Sequence, residues 1–208
     1  MSHYFTTPEA PSDHHEVHAS IWGQTYSLLS SAGVFSANRL DPGTAVLFRL
    51  TDPPLDRPAR FLDLGCGYGP IAIGLAANCP QASIDAVDSN RRALELTREN
   101  ADRLGFGQRI TTSTGESAPL ALYDEIWSNP PIRIGKPALH QLLIDWLGRL
   151  APQGQATLVV AKNLGADSLA DWLATQGWAV ARLGSSQGFR VLRVGVDTAS
   201  SSAGPVLT

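Results

Sequence analysis

The sequence predicts an α/β protein: a mostly parallel, seven-stranded sheet with helices on both faces and one antiparallel strand near its end. Three observations predict it. Strand-like and helix-like stretches alternate through most of the 208 residues, which implies parallel pairing and a sheet covered on both faces. The apolar run Arg60-Phe61-Leu62 ends in Asp63 and passes at once through a glycine-rich turn into an apolar helix. The last two apolar runs flank Ser185-Ser186-Gln187-Gly188, a hairpin signal that supplies the antiparallel strand.

In chain order, residues 1–20 are polar and carry His3, His14, His15 and His18. No cysteine or carboxylate spacing completes a metal site there, so a solvated N-terminal arm is expected. A single domain is expected over 21–196, beginning with short strand-like and turn-like pieces and a helix over 44–50. Pro53, Pro54 and Pro58 then form a stiff lead into the first sheet strand. Further strands are expected over 83–87, 109–113, 123–127, 155–161, 178–183 and 189–196. Helices are expected over 71–78, 90–104, about 137–150 and 168–175. The helix over 90–104 has Leu94, Thr97, Ala101 and Leu104 on one face, Asn90 as its cap and Gly105 as its stop. Residues 197–208, rich in Ser, Ala and Gly, are expected to be a disordered tail.

Composition sets bounds. Hydrophobic and charged fractions of 43% and 17% are those of an ordinary globular domain, long enough for one sizeable core. A formal charge of −3 supplies no global basic field, so any RNA would have to meet a local patch or arrive as a ribonucleoprotein. Cys66 and Cys79 form no CxxC, and neither a zinc site nor a disulfide framework is expected. With no basic-then-apolar leader and no run of 18 apolar residues, the expectation is a cytoplasmic protein without a membrane partner.

Asp63-Leu64-Gly65-Cys66-Gly67-Tyr68-Gly69-Pro70 carries the first chemical signal. Alternating glycines let the backbone take positive φ and approach a ligand with no Cβ in the way. Pro70 suits a first helical position, and the helix N-terminus behind it favours an anion at the turn. A dinucleotide fingerprint would need glycine where Pro70 stands. Asp88, 19 residues after Gly69, ends the next strand at the distance where a carboxylate accepts both hydroxyls of a ribose; otherwise it is a helix-capping acid. Ser89 follows it.

The second signal is Asn129-Pro130-Pro131 at the end of the fourth sheet strand. A conjugated amine nitrogen can act as a nucleophile only if its lone pair is freed and aimed. The Asn129 side-chain oxygen and the Pro130 carbonyl can each accept one N–H, and fixed φ at Pro130 and Pro131 prearranges the two acceptors. A bare strand-ending turn is the alternative.

The glycine turn with Asp63 and Asp88 resembles motif I of the class I S-adenosylmethionine (SAM) methyltransferases, a Rossmann-like fold. His3-Tyr4-Phe5, Gly33-Val34-Phe35-Ser36, Leu40-Asp41-Pro42-Gly43-Thr44, Ser128-Asn129-Pro130-Pro131 and Gly188-Phe189-Arg190-Val191-Leu192-Arg193 extend the likeness to nearly the whole chain. Together they resemble the methyltransferase small-domain family, whose best-known members methylate guanine N2 of ribosomal RNA. The resemblance implies SAM as cofactor, held by Asp63, Gly65, Cys66, Gly67, Gly69, Asp88, Ser89, Glu116 and Asn129. Glu116 would lie near the adenine or be an exposed loop acid. The resemblance further implies ribosomal RNA or a ribosomal subunit as partner, and no metal. Family members commonly carry an aromatic residue after Asn-Pro-Pro; here Ile132 completes that catalytic group, and Phe35 either supplies the base-stacking face or sits in the core. Arg133 and Lys136, with Arg39, Lys162 and Arg190, are candidates for phosphate contacts or merely solvated charges. The better-known members carry a second, degenerate copy of the domain, and this chain has one. The rivals are methylation of a protein glutamine amide or a small molecule, and a SAM- or RNA-binding scaffold with a decayed site.

Overall fold

The computed structural model describes residues 14–131 and 134–196. The part of the expected solvated arm that lies within them is instead a strand. β1 (His14–Ile21) pairs antiparallel with β2 (Gln24–Ser31). Trp22 and Gly23 link them, both with positive φ, as two-residue hairpin turns of type I′ require. Val17, Ala19 and Ile21 alternate inward, and this period of two outweighs the polarity of His14, His15, His18 and Ser20 around them. His15 Nε2 lies 2.6 Å from the Ala37 carbonyl, and His14 contacts Arg92 and Glu99.

α1 (Pro42–Leu50) starts two residues earlier than expected, because Asp41 caps it by accepting from the Gly43 and Thr44 amides. β3 (Ala59–Leu64), α2 (Pro70–Asn78), β4 (Ala82–Val87), α3 (Arg91–Arg103), β5 (Ile110–Ser113) and β6 (Tyr123–Ser128) follow. α4 (Lys136–Leu147), β7 (Leu150–Ala161), a 3-10 turn (Lys162–Leu164), α5 (Ala166–Thr175), β8 (Trp178–Ser186) and β9 (Phe189–Val196) complete the described chain. β7 starts five residues earlier than expected. The helix before it stops at Leu147, and Leu150 already pairs with Tyr123 across a register irregularity.

The seven-stranded sheet runs β5-β4-β3-β6-β7-β9-β8, with β9 running opposite to the other six strands. Successive residues feed opposite faces, as the pleat dictates. Phe61, Ile84, Trp127, Val159 and Val191 enter a core shared with α1, α2, α3 and the β1–β2 hairpin. Leu62, Ile126, Leu158 and Val160 enter a second core under α4 and α5. α2 is apolar on all sides because it lies between sheet and hairpin: a Cβ on Gly74 would come within 2.6 Å of Ile21. Trp22 meets Phe48 and Trp127 edge-on at 5.0 and 5.4 Å, sealing the hairpin to the domain. Among the described residues, no helix is long and apolar enough to cross a membrane, and no three His, Cys, Asp or Glu side chains are grouped to hold a metal.

Candidate active site

Strand order reverses between β3 and β6, and ligands of open parallel sheets bind beyond the carboxyl ends at such a point. Leu64 pairs with Ser128 there, and the Ser128 hydroxyl donates to the Leu64 carbonyl at 2.6 Å. The glycine turn and Asn129 are therefore neighbours. Gly65, Gly67 and Gly69 have φ of +77°, +58° and +92°. The Gly65 and Cys66 amides both donate to the Val87 carbonyl, which draws the turn over the end of β4. Asp88 holds it from the other side: Oδ2 accepts from the Gly67 amide at 2.9 Å and Oδ1 from the Asn90 amide at 2.8 Å. The Thr97 hydroxyl donates to the Gly67 carbonyl, and the Asn100 amide to the Tyr68 carbonyl, both at 2.9 Å.

The segment after the hairpin roofs this turn. The Asn90 side chain donates to the Gly33 carbonyl, and the Tyr68 hydroxyl to the Arg39 carbonyl. Asn129 Nδ2 donates to Asp41 Oδ1 at 2.7 Å and to Thr44 Oγ1 at 3.1 Å. A small cavity of about 30 Å³ lies between roof and turn, with Phe35, Gly65, Cys66, Gly67 and Asn129 on its walls. Phe35 is 60% exposed there, so the alternative that placed it in the core is wrong. Trp127, by contrast, is buried.

Of the other expected residues among those described, all but Cys66 lie apart from that cavity. Asp63 sits beneath the turn with no exposure; Oδ2 accepts from the Ala72 amide, while the buried Oδ1 has no partner among the described residues. Desolvation, with the Asp88 charge adding to it, pushes its carboxyl up to about 8. Burial likewise raises the Cys66 thiol well above its ordinary value, so it is a wall and not a nucleophile. Gly69 caps α2, Ser89 is exposed beyond Asp88, and Glu116 is exposed after β5. Lys136 is exposed at the start of α4. Arg190, expected at the RNA surface, is paired with Asp167. Ile132 and Arg133 lie outside the described residues. Asp41, Thr44 and Tyr68 on the cavity wall had no expected role, although the Leu40-Asp41-Pro42-Gly43-Thr44 motif singled out two of them. A larger groove of about 450 Å³ lies at the opposite end of the sheet, and its one titratable side chain among the described residues is Arg193. The smaller cavity carries the chemistry.

The model of the methyltransferase small domain matches residues 25–193. The chain belongs to that family. It is 32% identical over 172 residues to the uncharacterized protein YbxB of Bacillus subtilis, covering 80% of this chain and 84% of YbxB. It is 35% identical over 153 residues to the ribosomal RNA small subunit methyltransferase C of Hahella chejuensis, covering 72% of this chain and 43% of that protein. The fold matches the T. thermophilus 16S rRNA N2 G1207 methyltransferase, solved with AdoMet and guanosine, at a TM-score of 0.74 and 23% identity; 91% of this chain and 52% of that chain are covered. The chain thus spans about half the length of these two ribosomal RNA methyltransferases.

The protein is a SAM-dependent methyltransferase of the class I fold. Its methyltransferase small domain fits that cofactor: a Cβ on Gly67 would meet nothing within 4 Å, so open space faces the turn where a ligand must approach the backbone. Half-buried Asp88 spends one acceptance per oxygen on the turn and keeps lone pairs for hydroxyl donors.

Proposed function

We propose that this protein methylates an exocyclic amine, N2 of a guanine in ribosomal RNA, as a cytoplasmic enzyme acting on RNA or on a ribosomal subunit. One observation carries the reading: Asn129 lies beside the glycine turn with its amide nitrogen already engaged, so its Oδ1 is the group left to accept from a substrate. When bound, SAM would give an electrophilic methyl from its sulfonium sulfur to the amine nitrogen and keep the C–S electron pair as S-adenosylhomocysteine. Asn129 Oδ1 and the Pro130 carbonyl accept the two N–H bonds of the target amine and turn its lone pair toward that methyl. The amine proton becomes acidic only as the methyl arrives and passes to water, so no strong base is needed. Pro131, with its fixed φ, stiffens the backbone beside Asn129 and Pro130, and Ile132 is assigned to the same catalytic group.

On the cofactor side, Asp88 accepts the ribose hydroxyls, with Ser89 and Glu116 toward the adenine. Gly65, Cys66 and Gly67 line the methionine end, and Asp63 and Gly69 hold the shape of the turn. Phe35 supplies the aromatic face that Ile132 lacks; base stacking of this kind is worth ~1–3 kcal/mol. Arg133 and Lys136 are assigned as the phosphate contacts. The names of the ribosomal RNA relatives support the substrate class.

The test incubates the protein with labelled SAM and ribosomal subunits from cells lacking it, then digests RNA and protein separately. Label in N2-methylguanosine is expected. Label in protein glutamine would replace the substrate and keep the Asn129 chemistry. SAM binding without label in either fraction would sink the RNA reading.

A further inference from the structure

We propose that Asp41 is a positioning residue that fixes the Asn129 amide with its carbonyl oxygen facing the acceptor amine. The proposal rests on the role given to Asn129 above. Asp41 Oδ1 accepts three bonds: the Gly43 amide at 2.7 Å, the Thr44 amide at 3.1 Å, and Asn129 Nδ2 at 2.7 Å. The first two cap α1, a task that Ser, Thr or Asn performs as well. The third has nothing to do with capping and joins residues 88 apart.

A carboxylate accepts and cannot donate, so Asn129 must offer it the NH₂. Thr44 Oγ1, 3.1 Å from the same nitrogen, reinforces the choice. The oxygen of the planar amide then points away from Asp41. A swapped amide would set two acceptors face to face. The carboxylate also polarises the amide through this bond and strengthens Oδ1 as an acceptor while positive charge builds on the attacking nitrogen. Asp41 is itself held in place: a Cβ on Gly43 would lie 2.9 Å from the Phe189 ring, so β9 packs directly on the first turn of α1.

Asp41→Ser separates the two tasks, because serine caps the helix and is too short to reach Asn129. In the full chain with labelled asparagine, the Asn129 side-chain amide signals are identified by their loss in Asn129→Asp. Their exchange with solvent is expected to speed up roughly 10-fold or more in Asp41→Ser. With SAM and ribosomal subunits lacking the modification, kcat is expected to fall roughly 10- to 100-fold, with KM and SAM affinity within about twofold. Asp41→Asn, which keeps an acceptor in place, should recover most of the rate. Unchanged amide exchange in Asp41→Ser overturns the proposal, as does unchanged kcat where the wild type turns over. If the wild type leaves the subunits unlabelled, the RNA reading fails separately, and the amide signals still decide whether Asp41 holds Asn129. Should Asp41→Ser not fold, Thr44→Val removes the second acceptor, keeps the cap, and must change the same signals in the same direction.

Discussion

Asp63 is a carboxyl sealed under the glycine turn, with one oxygen bonded to the Ala72 amide and the other without a partner among the described residues. Its folded value, about 8, lies above the 3.8 of the unfolded chain. Below the unfolded value both states are protonated and the group adds nothing against folding. Between the two values only the unfolded state ionises, so stability falls as pH rises, by at most about 1.4 kcal/mol per unit, and the loss is complete above the folded value. Urea unfolding of wild type and Asp63→Asn from pH 5 to 8.5 should show the wild type losing ground as pH rises. A pH-independent gap between them would refute this. At Asn129 the chemistry is direct: Asn129→Ala should bind SAM normally and lose roughly 10²-fold or more in turnover, as when a positioning group is removed. An unchanged rate removes the mechanism.

At the scale of elements, Asn100 of α3 ties the hairpin to the motif I turn. Its side chain accepts from the Leu29 amide and donates to the Leu29 and Tyr68 carbonyls, and it is almost wholly buried. Asn100→Ala strands those backbone groups, at about 1–3 kcal/mol for each unpaired group. Chemical denaturation should show a loss of about 3 kcal/mol or more, and hydrogen exchange in β2 should rise; a loss under 1 kcal/mol would mean that water replaces the side chain. Gly69 shows how tightly turn and α3 meet. Its φ of +92° suits glycine, and a Cβ there would lie 2.9 Å from the Thr97 side chain. Gly69→Ala should therefore cost about 1–2 kcal/mol in backbone strain alone and lower SAM affinity by moving the turn. Calorimetric titration with SAM checks the second effect.

For the whole molecule, the net charge of −3 means that the proposed RNA binding would rest on local cations near the cavity. Arg39 in the roof, Lys136 at the start of α4 and Lys162 just after β7 are exposed. Two or three phosphate contacts on single-stranded RNA give a slope of log affinity against log salt of about −1.5 to −2. Filter binding across a salt series measures it, and a slope near zero would exclude this surface. The roof itself is a whole-molecule feature. Residues 33–44, distant in sequence from the glycine turn and from Asn129, close over both.

The sheet, the order of its helices, the glycine turn and the strand-end position of Asn129 are all legible in the sequence. Each of these rests on a local pattern: apolar period, glycine spacing, proline position. The sequence also carried the alternation of Val17, Ala19 and Ile21, which the polar residues and histidines around them masked. What Asp41 does beyond its cap, and what Thr97 and Asn100 do, follows from tertiary packing, because those partners lie 30 to 88 residues away and no local pattern encodes them. Packing also decided that Phe35 is exposed at the cavity and that Asp63 lies beneath the turn rather than on its wall. Burial and hydrogen-bond partnership belong to the packed chain, and a residue's spacing cannot state them in advance.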